Sequence, residues 1–358
     1  MNAFHRLAIK HIQAETGDAV SLALDIPAHL QSVFCFKPGQ HIVIRTQLNG
    51  EDIRRSYSIC SGLNDNELRV AIKRVPGGRF STFANTALTA GQMLDVLPPG
   101  GHFQLQPDPK HSRHYLAVAV GSGITPILSM IKSTLETEAA SHFTLLYGNR
   151  SAASTLFREA LEDLKNRFMQ RLNLVWIFSR EPQDVELFNG RIDTCKCEQF
   201  FTRWLDITDL AAAYLCGPQS MVRAVRDSLL YHGMHAGQVH SELFGLDGPL
   251  PRPLSASTAE ASQPITCQVT VIRDGRSLSF EQPDASQSLL EAANAQGAEL
   301  PYACKAGVCS TCKCKVVEGD VEMENNQALE ADEVASGYVL SCQSYARSPR
   351  VILDFDQR

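Results

Sequence analysis

The sequence predicts three domains in series: an antiparallel β-barrel over residues 1–107, a doubly wound α/β sheet over 112–245 and a small β-rich domain over 265–358. Three observations lead there. The first hundred residues are short β-rich runs broken by Gly, Asn, Asp and Pro. From Tyr115 onward, strand-like and helix-like stretches alternate. Six of the eleven cysteines then follow a Pro/Ser/Ala-rich stretch at 246–264. At 358 residues the chain exceeds what one hydrophobic core ordinarily serves, so several domains are expected.

The barrel is read from "AVSLALDIP", "HIVIRTQL", "RRSYSIC", "ELRVAIKRV" and "MLDVLPPG", evenly spaced runs with turn residues between them. "PDPKHSRH" (107–114) is a polar connection. "YLAVAV" (115–120) reads as a buried strand, and "PILSMIKSTLETE" (126–138) as an amphipathic helix with proline in its first turn. "FTLLYG", "TLFREALEDLKNRF", "LNLVWIFS", "AAAYLCG" and "SMVRAVRDSLLYHGM" continue the alternation, which argues for a parallel sheet between helices. "LDGPLPRPLSASTAEASQP" (246–264) has no periodicity and reads as a linker. In the last domain, Asp274–Gly275 between two β-rich runs signals a hairpin. "SQSLLEAANAQG" reads as a helix stopped at Gly297.

The formal charge is −6, and residues 265–358 hold 8 basic and 14 acidic side chains of totals of 33 and 39. Such a surface repels phosphate, so nucleic acid is excluded as a partner. No apolar run approaches the ~18 residues that span a bilayer. The start, "MNAFHRLAIKHIQAET", lacks the apolar core of an export signal. A cytoplasmic address is expected, with no membrane partner. There thiols stay reduced, and cysteines serve as ligands, reactive groups or core residues. "VEGDVEME" (317–324) places Asp320, Glu322 and Glu324 on one strand face, with Glu330, Asp332 and Glu333 nearby, where they either steer a basic partner or are simply solvated.

Cys304, Cys309 and Cys312 are spaced C-x4-C-x2-C, and Cys342 follows after 29 intervening residues. That is the plant-type spacing for a [2Fe–2S] cluster. Two irons bridged by sulfides need four thiolates. Small residues at Ala306, Gly307 and Ser310 let backbone N–H groups approach the sulfur atoms. The alternative is zinc, but zinc ribbons prefer two C-x2-C pairs and one is present here. Cys314 falls outside the spacing.

Four further motifs precede the cysteines. Arg55, Tyr57 and Ser58 lie on one strand; a guanidinium forks to phosphate and a flat ring covers a flat ring, although solubility and packing also explain them. Gly77 and Gly78 lead into a helix start with Ser81 and Thr82, either an anion site or an ordinary N-cap. "AVGSGITP" (119–126) has the strand–glycine–helix layout of a dinucleotide site, with Gly121, Gly123 and Thr125. Pro126 stands in place of the third Rossmann glycine; a plain βα turn is the alternative. "LCGP" puts Cys216 and Gly217 at the carboxyl end of a strand, where ligands of open sheets bind, though a buried cysteine before a turn also fits. Arg150 and the Ser179–Arg180 pair follow two more strands, where arginine meets an adenosine 2′-phosphate or is solvated.

In this order the motifs resemble those of the ferredoxin–NADP reductase superfamily, and residues 265–358 resemble a plant-type ferredoxin. The resemblance implies a Greek-key barrel for FAD, an α/β domain for NADPH and a β-grasp domain around the cluster. It also implies roles. Arg55 neutralises the flavin pyrophosphate, Tyr57 stacks on the isoalloxazine and Ser58 sits near its N5. Gly77, Gly78, Ser81 and Thr82 form the flavin-phosphate loop. Cys216 and Gly217 lie beside nicotinamide and flavin, with Ser58 and Cys216 the catalytic pair. Ser179 and Arg180 favour NADPH over NADH, and Phe244 of "SELFG" is a candidate to cover the flavin.

Over its whole length, through "FHRL", "GQH", "RRSYSIC", "ELPYACKAGVCSTCKCKV" and "GYVLSCQ", the sequence resembles the reductase family of the phenylacetyl-CoA epoxidase system. That implies electron flow from NADPH through FAD and [2Fe–2S] to a di-iron oxygenase partner. No histidine here has Glu three residues before it, as the Glu-x-x-His di-iron motif requires, so the oxygen chemistry is expected in a separate protein. A Rieske or steroid-ring oxygenase is the alternative partner. A non-catalytic zinc-binding interaction protein is the alternative from another class.

Overall fold

The computed structural model describes residues 3–244, 267–282 and 286–357, so the expected linker lies outside the described residues. They belong to two compact units, Ala3–Asp247 and Gly248–Arg358.

The first unit opens with β1 (His5–Thr16), β2 (Ala19–Asp25), β3 (His41–Leu48), β4 (Glu51–Ser58), β5 (Leu68–Lys73), helix α1 (Arg79–Thr86) and β6 (Met93–Gly100). The strands form one antiparallel sheet in the order β4-β3-β6-β1-β2-β5. An Ile59–Val70 bridge and the Cys60 N–H to Arg69 O bond (2.9 Å) join its two edges into a barrel. Leu7, Ile9, Leu22, Ile42, Ile44 and Ile72 fill it, with Phe80 of α1 closing one end. Strand β1 was not expected: Leu7 and Ile9 are its only fully buried side chains, and its polar remainder hides the alternation.

The unit continues with β7 (His114–Val120), α2 (Ile124–Thr137), β8 (His142–Asn149), α3 (Arg158–Arg167), β9 (Leu172–Phe178), α4 (Thr194–Arg203), β10 (Leu210–Gly217), α5 (Gln219–Tyr231) and β11 (Val239–Leu243). The five strands are all parallel, in the order β11-β10-β7-β8-β9. From β7 the chain winds outward to β9, then returns to the other side for β10 and β11. The carboxyl ends of β7 and β10 therefore flank a topological switch point, the crevice where open α/β sheets bind ligands. Helix α4 also went unread, although Asp193 caps it and Cys197, Phe200 and Phe201 bury one face at helical spacing.

The second unit holds β12 (Cys267–Arg273), β13 (Arg276–Gln282), α6 (Leu289–Ala295), β14 (Lys313–Glu318), β15 (Val321–Met323), α7 (Ala331–Ala335), β16 (Tyr338–Leu340), β17 (Ser344–Ala346) and β18 (Arg350–Asp354). Asp274 and Gly275 both take positive φ and close the β12–β13 hairpin. The main sheet runs β13-β12-β18-β14-β16, with β12 and β18 parallel, and α6 packs Leu289, Leu290 and Ala293 into its core. This is a β-grasp. Asp320 lies in the turn between β14 and β15 instead of on a strand, Glu322 pairs with Arg347, and Glu333 pairs with buried Lys313. Part of the expected acidic face is thus neutralised.

One buried carboxylate fastens the connection between barrel and parallel sheet. Glu138, fully buried, accepts from Ser141 Oγ (2.6 Å), Asp108 N (3.0 Å) and the Tyr115 hydroxyl (3.2 Å). Truncation strands several buried donors, each costing ~1–3 kcal/mol. Glu138→Ala is expected to lower stability by about 3 kcal/mol in urea unfolding, with Glu138→Gln losing less; a loss below about 1 kcal/mol for the alanine variant contradicts this role.

Candidate functional site

At the switch point the backbone approaches itself as closely as glycine allows. Gly121 takes φ +58°, and a Cβ on Gly123 would lie 2.1 Å from the Cys216 carbonyl oxygen. The Tyr147 hydroxyl donates to Gly121 O (2.9 Å) and braces the turn, a role the sequence did not announce. Thr125, buried, donates its hydroxyl to Ser122 O (3.1 Å) and fixes the first turn of α2. A cleft of about 710 Å³ opens here, lined by Gly121, Gly123, Gly217 and Phe244, the last 45% exposed.

The same cleft carries cations. Arg180 N donates to Arg150 O and Ser179 N to Asn149 O, both at 2.9 Å, so the segments after β8 and β9 run side by side. Arg150, Ser179 and Arg180 line the cleft together with Arg191, which sequence reasoning missed. Gly190 N donates to Phe178 O (2.8 Å), bringing that return segment back to the end of β9. No carboxylate lines the cleft among the described residues, and none of the three arginines has an ion-pair partner there. Three exposed guanidiniums around one cavity offer the forked donors that a phosphate can accept from.

Strand β4 serves two faces because side chains alternate. Arg55 and Tyr57 share one face, where the Tyr57 ring lies 5.6 Å from that of Phe80. Burial pushes the Tyr57 phenol well above its ordinary range, with the Arg55 guanidinium partly opposing. Gly77 (φ +72°) and Gly78 precede α1, and a Cβ on Gly78 would meet Ser81 Oγ at 2.4 Å. The Ser81 hydroxyl braces this loop: it accepts from Val75 N (3.1 Å) and donates to Gly78 O (3.3 Å). Thr82 is exposed beside it.

Ser58 points to the other face and meets a residue that was overlooked. Its hydroxyl donates to Glu242 Oε2 (2.9 Å), and both groups are buried. His41 Nδ1 lies 3.7 Å from Glu242 Oε1. Strand β11 pairs Glu242 with Cys216 of β10, whose fully buried thiol is raised well above its usual range by burial and then by the Glu242 charge. Cys216 is therefore a neutral thiol, not a nucleophilic thiolate. Glu242 stood two residues before Phe244 in "SELFG"; a carboxylate ending a parallel-sheet strand was the available signal.

In the second unit Cys304, Cys309, Cys312 and Cys342 come together. The hydrogen bond from Cys309 pulls the Cys304 thiol down, but Cys342 beside it and burial leave it raised; Cys342 in turn touches Cys304 and Cys312. Contacts thus run in series from Cys309 through Cys304 and Cys342 to Cys312. Lys305, Gly307 and Ser310 take positive φ and curl the loop. A Cβ on Gly307 would lie 2.6 Å from Asn325 O, so only glycine fits there. Ala306 N donates to Cys304 Sγ at 3.3 Å. These residues fit a [2Fe–2S] cluster.

A barrel with a flavin-type strand, a dinucleotide crevice and a four-cysteine β-grasp domain define a pyridine-nucleotide-dependent flavoprotein reductase carrying its own ferredoxin. Family models agree: oxidoreductase FAD-binding domain at 6–105, oxidoreductase NAD-binding domain at 117–227 and 2Fe-2S iron-sulfur cluster binding domain at 271–347. The chain is 43% identical over 358 residues, all of it and 99% of the relative, to a 1,2-phenylacetyl-CoA epoxidase subunit from Escherichia coli (strain K12), and it belongs to that family. It is 30% identical over 357 residues, 98% of this chain and 96% of the relative, to the ferredoxin reductase component of 3-ketosteroid-9-alpha-monooxygenase from Rhodococcus rhodochrous. Among solved structures, phthalate dioxygenase reductase, titled a modular structure for electron transfer from pyridine nucleotides to [2Fe-2S], matches 98% of both chains at 26% identity and TM-score 0.61. No helix among the described residues is long and apolar enough to cross a membrane.

Gly123→Ala tests the crevice. Its methyl group cannot coexist with the Cys216 carbonyl, so the β7–α2 turn must shift. The variant is expected to keep its flavin content and circular dichroism while its affinity for NADPH falls by about tenfold or more, equivalent to ~1.4 kcal/mol. Unchanged affinity in an equilibrium titration contradicts the placement.

Proposed function

We propose that this chain is the NADPH-dependent reductase of a phenylacetyl-CoA epoxidase, delivering single electrons to a di-iron oxygenase component. The observation that carries the reading is full-length likeness to the Escherichia coli epoxidase protein at 43%, against 30–31% for reductases named for ketosteroid and glycine betaine monooxygenases. When bound, FAD accepts two electrons together and releases them singly, and a [2Fe–2S] centre passes one at a time. A cytoplasmic location accords with eleven cysteines that are all free.

The chain's own residues divide the work. Arg150, Ser179, Arg180 and Arg191 hold the 2′-phosphate end of NADPH, and the Gly121–Gly123 turn with the start of α2 holds its pyrophosphate. Arg55 binds the flavin pyrophosphate, Tyr57 packs on the ring, and Gly77, Gly78, Ser81 and Thr82 shape the phosphate loop. Phe244 shields the mouth of the cleft. Ser58, with its proton directed to Glu242, keeps its oxygen lone pairs as acceptors. Neutral Cys216 and Gly217 give the nicotinamide a close, uncharged wall. Cys304, Cys309, Cys312 and Cys342 hold the cluster.

Turnover with purified oxygenase components tests the assignment: product formation with the epoxidase and none with a Rieske or ketosteroid oxygenase is expected, and the reverse overturns it. Cys309→Ser should abolish electron transfer to the oxygenase or cytochrome c while leaving NADPH–ferricyanide activity largely intact; joint loss in a protein that retains flavin contradicts the route. Arg180→Glu should raise KM for NADPH by about tenfold or more, with little change for NADH, since reversing one charge at a phosphate removes ~1.4 kcal/mol or more. Equal effects on both nucleotides remove the 2′-phosphate assignment.

A further inference from the structure

Three successive carbonyls of the cysteine loop are held from its outer side. Gln343 Nε2 donates to Lys305 O (3.0 Å), Asn325 Nδ2 to Ala306 O (2.7 Å) and Gln327 N to Gly307 O (3.0 Å). A trans peptide plane sends its C=O and the following N–H in opposite directions. Holding Lys305 O outward therefore turns the Ala306 N–H inward, where it donates to Cys304 Sγ at 3.3 Å. Holding Ala306 O outward turns the Gly307 N–H inward, toward the Cys342 sulfur.

The clamp is itself fixed. Gln327 Nε2 donates to Asn325 Oδ1 (3.3 Å), which settles which end of the Asn325 amide faces Ala306. The second Gln343 proton goes to Cys342 O (3.0 Å), tying the clamp to the distant cysteine. Glu324 N donates to Gln343 O (2.9 Å), so the two clamping segments are also bonded to each other.

We propose that Asn325 and Gln343 are positioning residues that set the reduction potential of the iron–sulfur centre by aiming the Ala306 and Gly307 amides at two ligand sulfurs. The inference rests on the [2Fe–2S] reading of the four cysteines. N–H bonds to a charged sulfur strengthen as the centre gains negative charge, so they favour the reduced state. Loosening either peptide plane weakens one such bond.

The experiment is a redox titration of the full-length holoprotein, monitored by electron paramagnetic resonance, for wild type, Asn325→Leu and Gln343→Met. Each substitution keeps roughly the side-chain length and removes the amide donor. At the wild-type midpoint potential the ratio of reduced to oxidised centre should fall about threefold or more in each variant, the worth of one weakened hydrogen bond, and further in the double variant. A role in loop stability alone would shorten cluster lifetime and leave the potential where it was. An unchanged or raised potential with the signal intact overturns the proposal. If Asn325→Leu loses its cluster, Gln343→Met, at a half-buried position, decides alone. A wild-type protein with iron and no [2Fe–2S] signal overturns the cluster reading, and the inference with it.

Discussion

One buried hydrogen bond of the reductase unit, Ser58 Oγ to Glu242 Oε2, ties together residues 184 apart in sequence. It joins the end of barrel strand β4 to the end of sheet strand β11. Strand β11 is locked in register to β10, and the β10 carbonyl at Cys216 presses on Gly123 of the nucleotide turn. Four elements are thereby fixed by contacts too tight for a side chain to intrude. A polar pair this deeply buried must be satisfied on both sides, and here each group satisfies the other. The arrangement places a flavin-type strand and a dinucleotide crevice on one scaffold.

Much of this was readable from residues alone. Parallel-sheet strands such as "YLAVAV" are continuous apolar runs, and glycine-rich turns announce close backbone approach, so the sheet and its crevice were visible. The spacing of Cys304, Cys309, Cys312 and Cys342 marked the second unit just as directly. Strand β1 was hidden because a polar outer face masks two buried residues. Glu242, Arg191 and Tyr147 were hidden for a different reason. Their partners, Ser58, the β8–β9 loop ends and Gly121, are brought near only by tertiary packing; a carboxylate at a strand end marked Glu242, and nothing local marked the other two. Ser81 shows the reverse case: a hydroxyl in the expected place whose lone pairs and proton close its own loop.

Charge divides the molecule by task. The nucleotide cleft gathers Arg150, Arg180 and Arg191 with no lining carboxylate among the described residues, as a multiply charged substrate demands. Around Ser58 and Cys216 the groups are buried instead: the Ser58 hydroxyl is paired with Glu242, and burial and then the Glu242 charge raise the Cys216 thiol. In the second unit, Cys304 and Cys342 each take a lowering hydrogen bond from one neighbouring cysteine, yet another neighbouring cysteine and burial leave both thiols raised. There the Ala306 N–H donates to Cys304 Sγ, and Asn325 and Gln343 hold the loop's carbonyls from outside.

With FAD-, NAD- and 2Fe-2S-binding domains in one chain, paired electrons can enter and single electrons leave within the same protein. Anaerobic titration of the purified protein with NADPH, followed by visible absorption and electron paramagnetic resonance, examines this directly. The expected result is uptake of one more electron equivalent per chain than a flavin alone can hold, with a reduced [2Fe–2S] signal appearing as the flavin bleaches. Full bleaching at the flavin's own capacity with no such signal would contradict it.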